Sequence, residues 1–303
     1  MNSMSAQAQK RWLMFGCWVL LTLTIFATPF ASLMQLAWQD ETASHILLIP
    51  FITAWLLYTE PKGTTRESGY SIRYALLFVV PGVILGIGSL LCADCAPKSH
   101  LSLYILSLIL FLISGFVLFL GDAKAKASFF PLALLLFMVP IPDVILNKTI
   151  YWLQSGSADI AEILFNLSGA PVLRDGFAFH LPKMSIEVAA ECSGIRSSLA
   201  LLILALLVAH FAFRPLWKKA VFIVAGLAMM LIKNGIRIAT LTLLANYVDP
   251  DFLYGKLHHR GGVVFFLIGL ALLLPVYWWL RKGEERSRIS RIDALPSAAG
   301  ARK

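Results

Sequence analysis

The chain has 303 residues, of which 58% are hydrophobic and 14% charged, with a mean hydropathy of +0.76. Soluble domains carry about 25% charged residues, so this composition excludes an ordinary soluble globule and points to a polytopic membrane protein. The net charge of +9 fits basic cytoplasmic loops, and without a long basic stripe interleaved with aromatics it gives no nucleic-acid reading.

Eight apolar segments are predicted as membrane helices, at about 12–36, 46–58, 74–92, 100–120, 129–146, 191–213, 220–243 and 263–280. The first follows Lys10-Arg11 but is too long for a signal peptide and lacks a small-residue cleavage site, so it is read as a retained helix. The second is short and extends into its flanks. The fifth is interrupted by Pro140 and Pro142, which a span tolerates only if neighbours satisfy the freed backbone groups.

Placing the N-terminus inside puts 17 of the 26 Lys and Arg residues in inner loops and tails and 7 in outer ones. That bias predicts an N-in, C-in topology. The long outer loop, about 147–190, begins with apolar residues at Ile150, Leu153, Ile160, Ile163, Leu164 and Leu167, the pattern of an amphipathic interfacial helix. Asp175-Gly176 between short apolar runs then signals a β-hairpin. The expected fold is an all-α polytopic protein of about eight transmembrane helices, with a small amphipathic helix and β-hairpin between helices 5 and 6. Residues 1–282 form one integral-membrane domain and 283–303 a basic cytoplasmic tail.

Four cysteines are too few for a disulfide framework. Cys17 lies in the first apolar run and reads as a buried, inert thiol. Cys92 and Cys95 form a single CxxC with no second pair, consistent with an exported disulfide or with no function; no metal or cofactor is expected.

Chemistry concentrates in three polar islands: Glu191-Cys192-Ser193-Gly194-Ile195-Arg196, Asn234-Gly235-Ile236-Arg237, and His258-His259-Arg260-Gly261-Gly262. The predicted topology puts all three on the outer face. Cys192 at the outer end of the sixth helix feels the positive end of the helix dipole, which favours the thiolate, and free N–H groups at Ser193 and Gly194 suit an oxyanion. A packed small residue at a helix start is the competing reading. Arg237, a charge inside an apolar helix, is a functional candidate by default, with headgroup snorkelling as the alternative, and Asn234 shares its face. Lys233 reads as pointing elsewhere on the helix, in a structural role. His258 and His259 fit either a general base or a solvated turn.

These residues resemble the exosortase/archaeosortase family: Ala190-Glu191-Cys192-Ser193-Gly194-Ile195-Arg196-Ser197, Asn234-x-x-Arg237, and His258 followed by Gly262 and Phe266. Trp38 through His45-x-x-x-x-Pro50, Phe137-Met-Val-Pro-Ile-Pro142 and Gly169-Ala-Pro-Val-Leu-Arg-Asp-Gly176 carry it further, over most of 12–280. The resemblance implies a membrane cysteine protease and transpeptidase of the bacterial inner membrane, a hydrolase-class enzyme acting on the periplasmic or exterior face. Its substrates would be exported proteins with PEP-CTERM-type sorting signals: a short motif, a transmembrane helix and a basic cluster. Cleavage would hand them to a cell-envelope acceptor. Some members carry a further C-terminal domain linked to exopolysaccharide production.

On this resemblance Cys192 is the nucleophile, Arg237 the oxyanion stabiliser and His258 the general acid/base, with His259 as the alternative. Ser193, Gly194 and Asn234 support them. Arg174, Lys183 and Arg196 offer cations for an acidic residue of the sorting motif, or for lipid headgroups. A transporter using Arg237 and His258 in a midplane cavity, and a non-catalytic envelope scaffold, are the other classes considered. Neither an inverted repeat nor polar residues deep in several helices favours the transporter.

Overall fold

A computed structural model describes residues 6–59, 70–91, 96–254 and 262–293, with the side chains of Glu41, Glu191, Cys192, Leu253, Tyr254 and 284–293 outside the description. The fold is all-α apart from one small sheet, and the chain is a multi-pass membrane protein. Six described helices are long and apolar enough to cross a membrane, or up to eight if each of two bent pairs forms one span. Large apolar side chains such as Leu20, Leu77, Ile84, Val224 and Leu267 are exposed along them, as lipid-facing positions require. The chain divides into two compact units, Met1–Asn147 and Lys148–Lys303.

In the first unit the expected opening helix is two helices, α1 (Ala6–Ile25) and α2 (Ala27–Gln39), bent by 79°. The cause is Pro29, which has no N–H for the Ile25 carbonyl and whose ring crowds it, so the helix breaks one turn earlier at Phe26. Cys17 is exposed on α1, not buried as its apolar context predicted, because the surrounding solvent of a spanning helix is itself apolar. A 3₁₀ turn (Glu41–Leu47) leads into α3 (Ile49–Thr59), which accounts for the flank extension expected of the second span.

α4 (Ile72–Leu91) and α5 (Pro97–Leu120) follow. Half of the apolar window of α5 is buried against 17% for α4, which makes α5 the centre of this unit. Gly82 and Gly86, spaced as small-xxx-small, let α4 approach Phe111 and Ser107, and the Ser107 hydroxyl donates to the Gly82 carbonyl at 2.7 Å. α1 lies on α5 where Gly115 leaves room for the Trp18 ring, and Trp18 Nε1 donates to the Phe111 carbonyl.

α6 (Asp122–Ala127), α7 (Phe129–Leu134) and a 3₁₀ turn (Leu135–Met138) come next. The helix then stops outright: Val139–Pro142 is non-helical, and α8 (Asp143–Ser168) starts afresh. The fifth predicted segment is therefore not one continuous helix. Its last residues instead join the amphipathic helix of the outer loop. The buried Ser102 hydroxyl reaches the Pro140 carbonyl at 2.6 Å, so a neighbour does satisfy the broken backbone.

The second unit holds most of α8, a three-stranded antiparallel sheet (β1 Leu173–Asp175, β2 Ala178–His180, β3 Ser185–Glu187), and α9 (Ile195–Ala212), α10 (Leu216–Tyr247), the short α11 (Asp251–Tyr254) and α12 (Gly262–Asp293). The hairpin signal is correct in kind but shifted by a residue. Asp175 is the last residue of β1, paired with Ala178, and the two-residue turn is Gly176-Phe177. Gly176 has φ +57° and Phe177 a negative φ, the arrangement that wants glycine first. β3, pairing Phe179 with Ile186, was not anticipated.

Two apolar clusters organise this unit. Ala158, Ala161 and Phe165 of α8, Phe179, Leu181 and Val188 of the sheet region, and Ile238 and Ala239 of α10 bury each other. Ala205, Ala209, Phe213, Phe222, Leu273 and Leu280 join α9, α10 and α12. Between these clusters α10 carries two adjacent buried polar residues, Lys233 and Asn234. α12 runs on to Asp293, past the expected apolar end at about residue 280.

Candidate functional site

The sixth span starts later than its hydropathy suggests. Cys192 lies in a 3₁₀ turn, Ala190–Ser193, and α9 begins only at Ile195, after Gly194 in the left-handed region at φ 71°, ψ 20°. Cys192 is thus carried on a tight turn in front of the helix rather than in its first turn. The segment is pinned from behind: Gln154 of α8 donates from Nε2 to the Val188 carbonyl at 2.8 Å, four residues before Cys192.

It is pinned in front by α10. A Cβ on Gly194 would stand 2.7 Å from Asn234 Oδ1, so the amide of Asn234 rests directly on the turn's glycine. Asn234 Nδ2 donates to Ser157 Oγ of α8 at 3.0 Å, which fixes the amide's orientation. Gly235 makes this crossing possible: a Cβ there would meet Ile160 Cγ2 at 2.5 Å and the Ser157 carbonyl at 3.1 Å. Gly156 gives α8 the same closeness against Leu231. Two helices and a turn therefore meet at Ser157, Gly194 and Asn234.

Ser193, beside Cys192, is fully buried, and its hydroxyl has no hydrogen-bond partner among the described residues. A buried hydroxyl left this way costs about 1–3 kcal/mol and calls for an explanation. The Gly194 carbonyl accepts from the Ser198 N–H at 2.9 Å and from Ser197 Oγ at 3.1 Å. Ser197 Oγ in turn accepts from Lys233 Nζ at 2.6 Å.

Lys233 was expected to point elsewhere; it lies 2% exposed with its ammonium on the first turn of α9. Arg237, half-buried, follows it by one turn of α10, on the stripe that also carries Asn234. The structure thus brings together Ser193, Gly194, Asn234 and the backbone of Cys192. His258 and His259 lie outside the described residues, as do Cys92 and Cys95, and the Cys192 side chain is likewise outside them.

A family model for transmembrane exosortases matches residues 37–275, more than three quarters of the chain and every residue of this turn and its braces. The chain belongs to the transmembrane exosortase family. Comparison with curated proteins and with solved structures gave no significant match.

The cations expected to read substrate divide in two groups in this exosortase. Arg174 on β1 donates through Nη1 to Asp159 Oδ1 at 2.8 Å and Glu162 Oε2 at 2.7 Å, and through Nε to the Gly176 carbonyl. Burial lowers its pKa, but the two carboxylates outweigh that and leave it raised. Its geometry is that of a clasp between sheet and α8. Lys183, on the turn between β2 and β3, and Arg196, in the first turn of α9, are exposed.

A groove of about 1170 Å³ in the first unit runs between α1–α2 and α4–α5, and none of the exosortase's candidate site residues lines it. Among the described residues no three His, Cys, Asp or Glu side chains come together as a metal-ligand set.

Proposed function

We propose that this exosortase is a cysteine transpeptidase that cleaves C-terminal sorting signals of exported proteins on the outer face of the bacterial inner membrane. Cys192, as thiolate, attacks the peptide carbonyl carbon beside the sorting motif. Arg237 donates hydrogen bonds to the oxyanion, together with N–H groups of the turn. The C–N bond then breaks, His258 (or His259) delivers a proton to the leaving amine, and the anchor helix departs. An envelope acceptor's nucleophile resolves the thioacyl-enzyme, its proton passing to the same histidine. Residues 1–282 form the membrane domain in an N-in, C-in topology, with 283–303 as the inner basic tail. Lys183 and Arg196, both exposed, meet an acidic motif residue or the headgroups of the surrounding lipid, and Arg174 is engaged by Asp159 and Glu162.

The observation that carries this reading is the contact of Asn234 with Gly194. It joins two of the three sequence islands in space, at the turn that carries the Cys192 backbone. A reporter carrying a short motif, a transmembrane helix and a basic cluster at its C-terminus tests the proposal. Cys192→Ala should abolish processing with the protein still in the membrane, and full cleavage by that variant would end the proposal.

A further inference from the structure

The inference concerns Lys233 and rests on the reading of Cys192 as nucleophile. A charge within an apolar spanning helix costs at least about 2.5–3.5 kcal/mol. Among the described residues no carboxylate pairs with the Lys233 ammonium, and its neighbour one turn along, Arg237, has the same sign. A lysine held there for packing alone would be poorly chosen, since an uncharged methionine fills similar space.

The surroundings are nevertheless shaped to the lysine. Gly269 of α12 leaves room for its stem, where a Cβ would lie 3.1 Å from Lys233 Cδ. Its only hydrogen-bond partner among the described residues is Ser197 Oγ. An ammonium can only donate, so the Ser197 oxygen must accept from it, and the single hydroxyl proton is left for the Gly194 carbonyl. The lysine thereby sets the direction of the bond that closes the front of the Cys192–Gly194 turn, while Asn234 braces the same glycine from its own side.

We infer that Lys233 is a positioning residue that, through Ser197, locks the Cys192 turn and keeps a positive charge beside it as the partner of the Cys192 thiolate. The lock and the charge have one consequence in common: the thiol ionises more readily in the turn than it would without the lysine.

The test uses the full-length protein in its membrane. Iodoacetamide alkylation of Cys192 is followed across pH by mass spectrometry of its peptide, alongside kcat and KM for a sorting-signal reporter. Lys233→Met should raise the alkylation midpoint by about one unit or more, the effect of removing an adjacent opposite charge. It should also lower kcat about tenfold or more with KM little changed, while Lys233→Arg keeps the wild-type midpoint. A wild-type midpoint in Lys233→Met overturns the inference. Should that variant fail to accumulate, Ser197→Ala decides: a smaller rise in midpoint with reduced kcat supports the lock, and a wild-type midpoint and kcat overturn it. These results are separate from the fate of the nucleophile, which falls only if Cys192→Ala still processes the reporter.

Discussion

Gly194→Ala probes the turn at its tightest point. Alanine at φ 71° pays about 1–2 kcal/mol for the left-handed region. Its Cβ would also sit 2.7 Å from Asn234 Oδ1, closer than real contacts allow, and a tight 3.1 Å from Cγ, so the amide must move. Moving it breaks the buried bond to Ser157, a further cost of about 1–3 kcal/mol. Together these come to roughly 2–5 kcal/mol against the observed turn, or about 30- to 5,000-fold at about 1.36 kcal/mol per decade. Relaxation of neighbours will absorb part of this, so processing of a sorting-signal reporter should fall at least about tenfold. Gly88→Ala, where a Cβ meets nothing within 4 Å, is the matched control and should process normally. A Gly194→Ala protein that cleaves as fast as wild type would refute the idea that Asn234 and the glycine turn hold the nucleophile.

Gly235→Ala should separate α8 from α10, because its Cβ would collide with Ile160 and the Ser157 carbonyl; overpacking of this kind costs about 1–3 kcal/mol. Thermal unfolding of the purified protein should show a lower Tm, and an unchanged Tm would contradict the close crossing. At Asp40, burial pushes the carboxyl up, but bonds from the Thr42 side chain and backbone and from Lys98 outweigh it, leaving the pKa below the usual carboxylate value. A depressed folded pKa contributes stability above the ordinary value of about 4 and loses it as pH falls through the folded value. The Tm difference between wild type and Asp40→Asn should therefore be modest at neutral pH, since the pair is part-exposed, and vanish under acid; a difference that persists there contradicts the assignment.

The spans were legible because hydropathy reports lipid contact directly, and the Asp175-Gly176 signal located the hairpin because only glycine suits its turn. What sequence did not reveal depends on three-dimensional neighbours. Pro29 sits inside an unbroken apolar run, so hydropathy hides the 79° bend that its missing N–H produces. Gln154 and Ser157 look like polar residues of an amphipathic surface, yet they face the Cys192 segment and Asn234. Lys233 was set apart from Asn234 and Arg237, although four residues separate it from Arg237 and that spacing shares a face as well as three does. Its proximity to Ser197 follows from the crossing of α9 and α10, which no local pattern encodes. Gly194 could have been anticipated: a glycine between a short polar turn and an apolar helix is a common left-handed punctuation.

The most direct test of the account is to trap the acyl-enzyme. Membranes carrying the exosortase and a sorting-signal substrate, quenched during turnover and digested, should yield the Cys192 peptide joined to the substrate's new C-terminus through a hydroxylamine-sensitive thioester. That adduct should be absent from Cys192→Ala and scarce when both His258 and His259 are replaced by alanine, because the same histidine must protonate the leaving amine before the adduct can form. Substrate cleaved at a normal rate with no adduct on Cys192 would contradict the central claim.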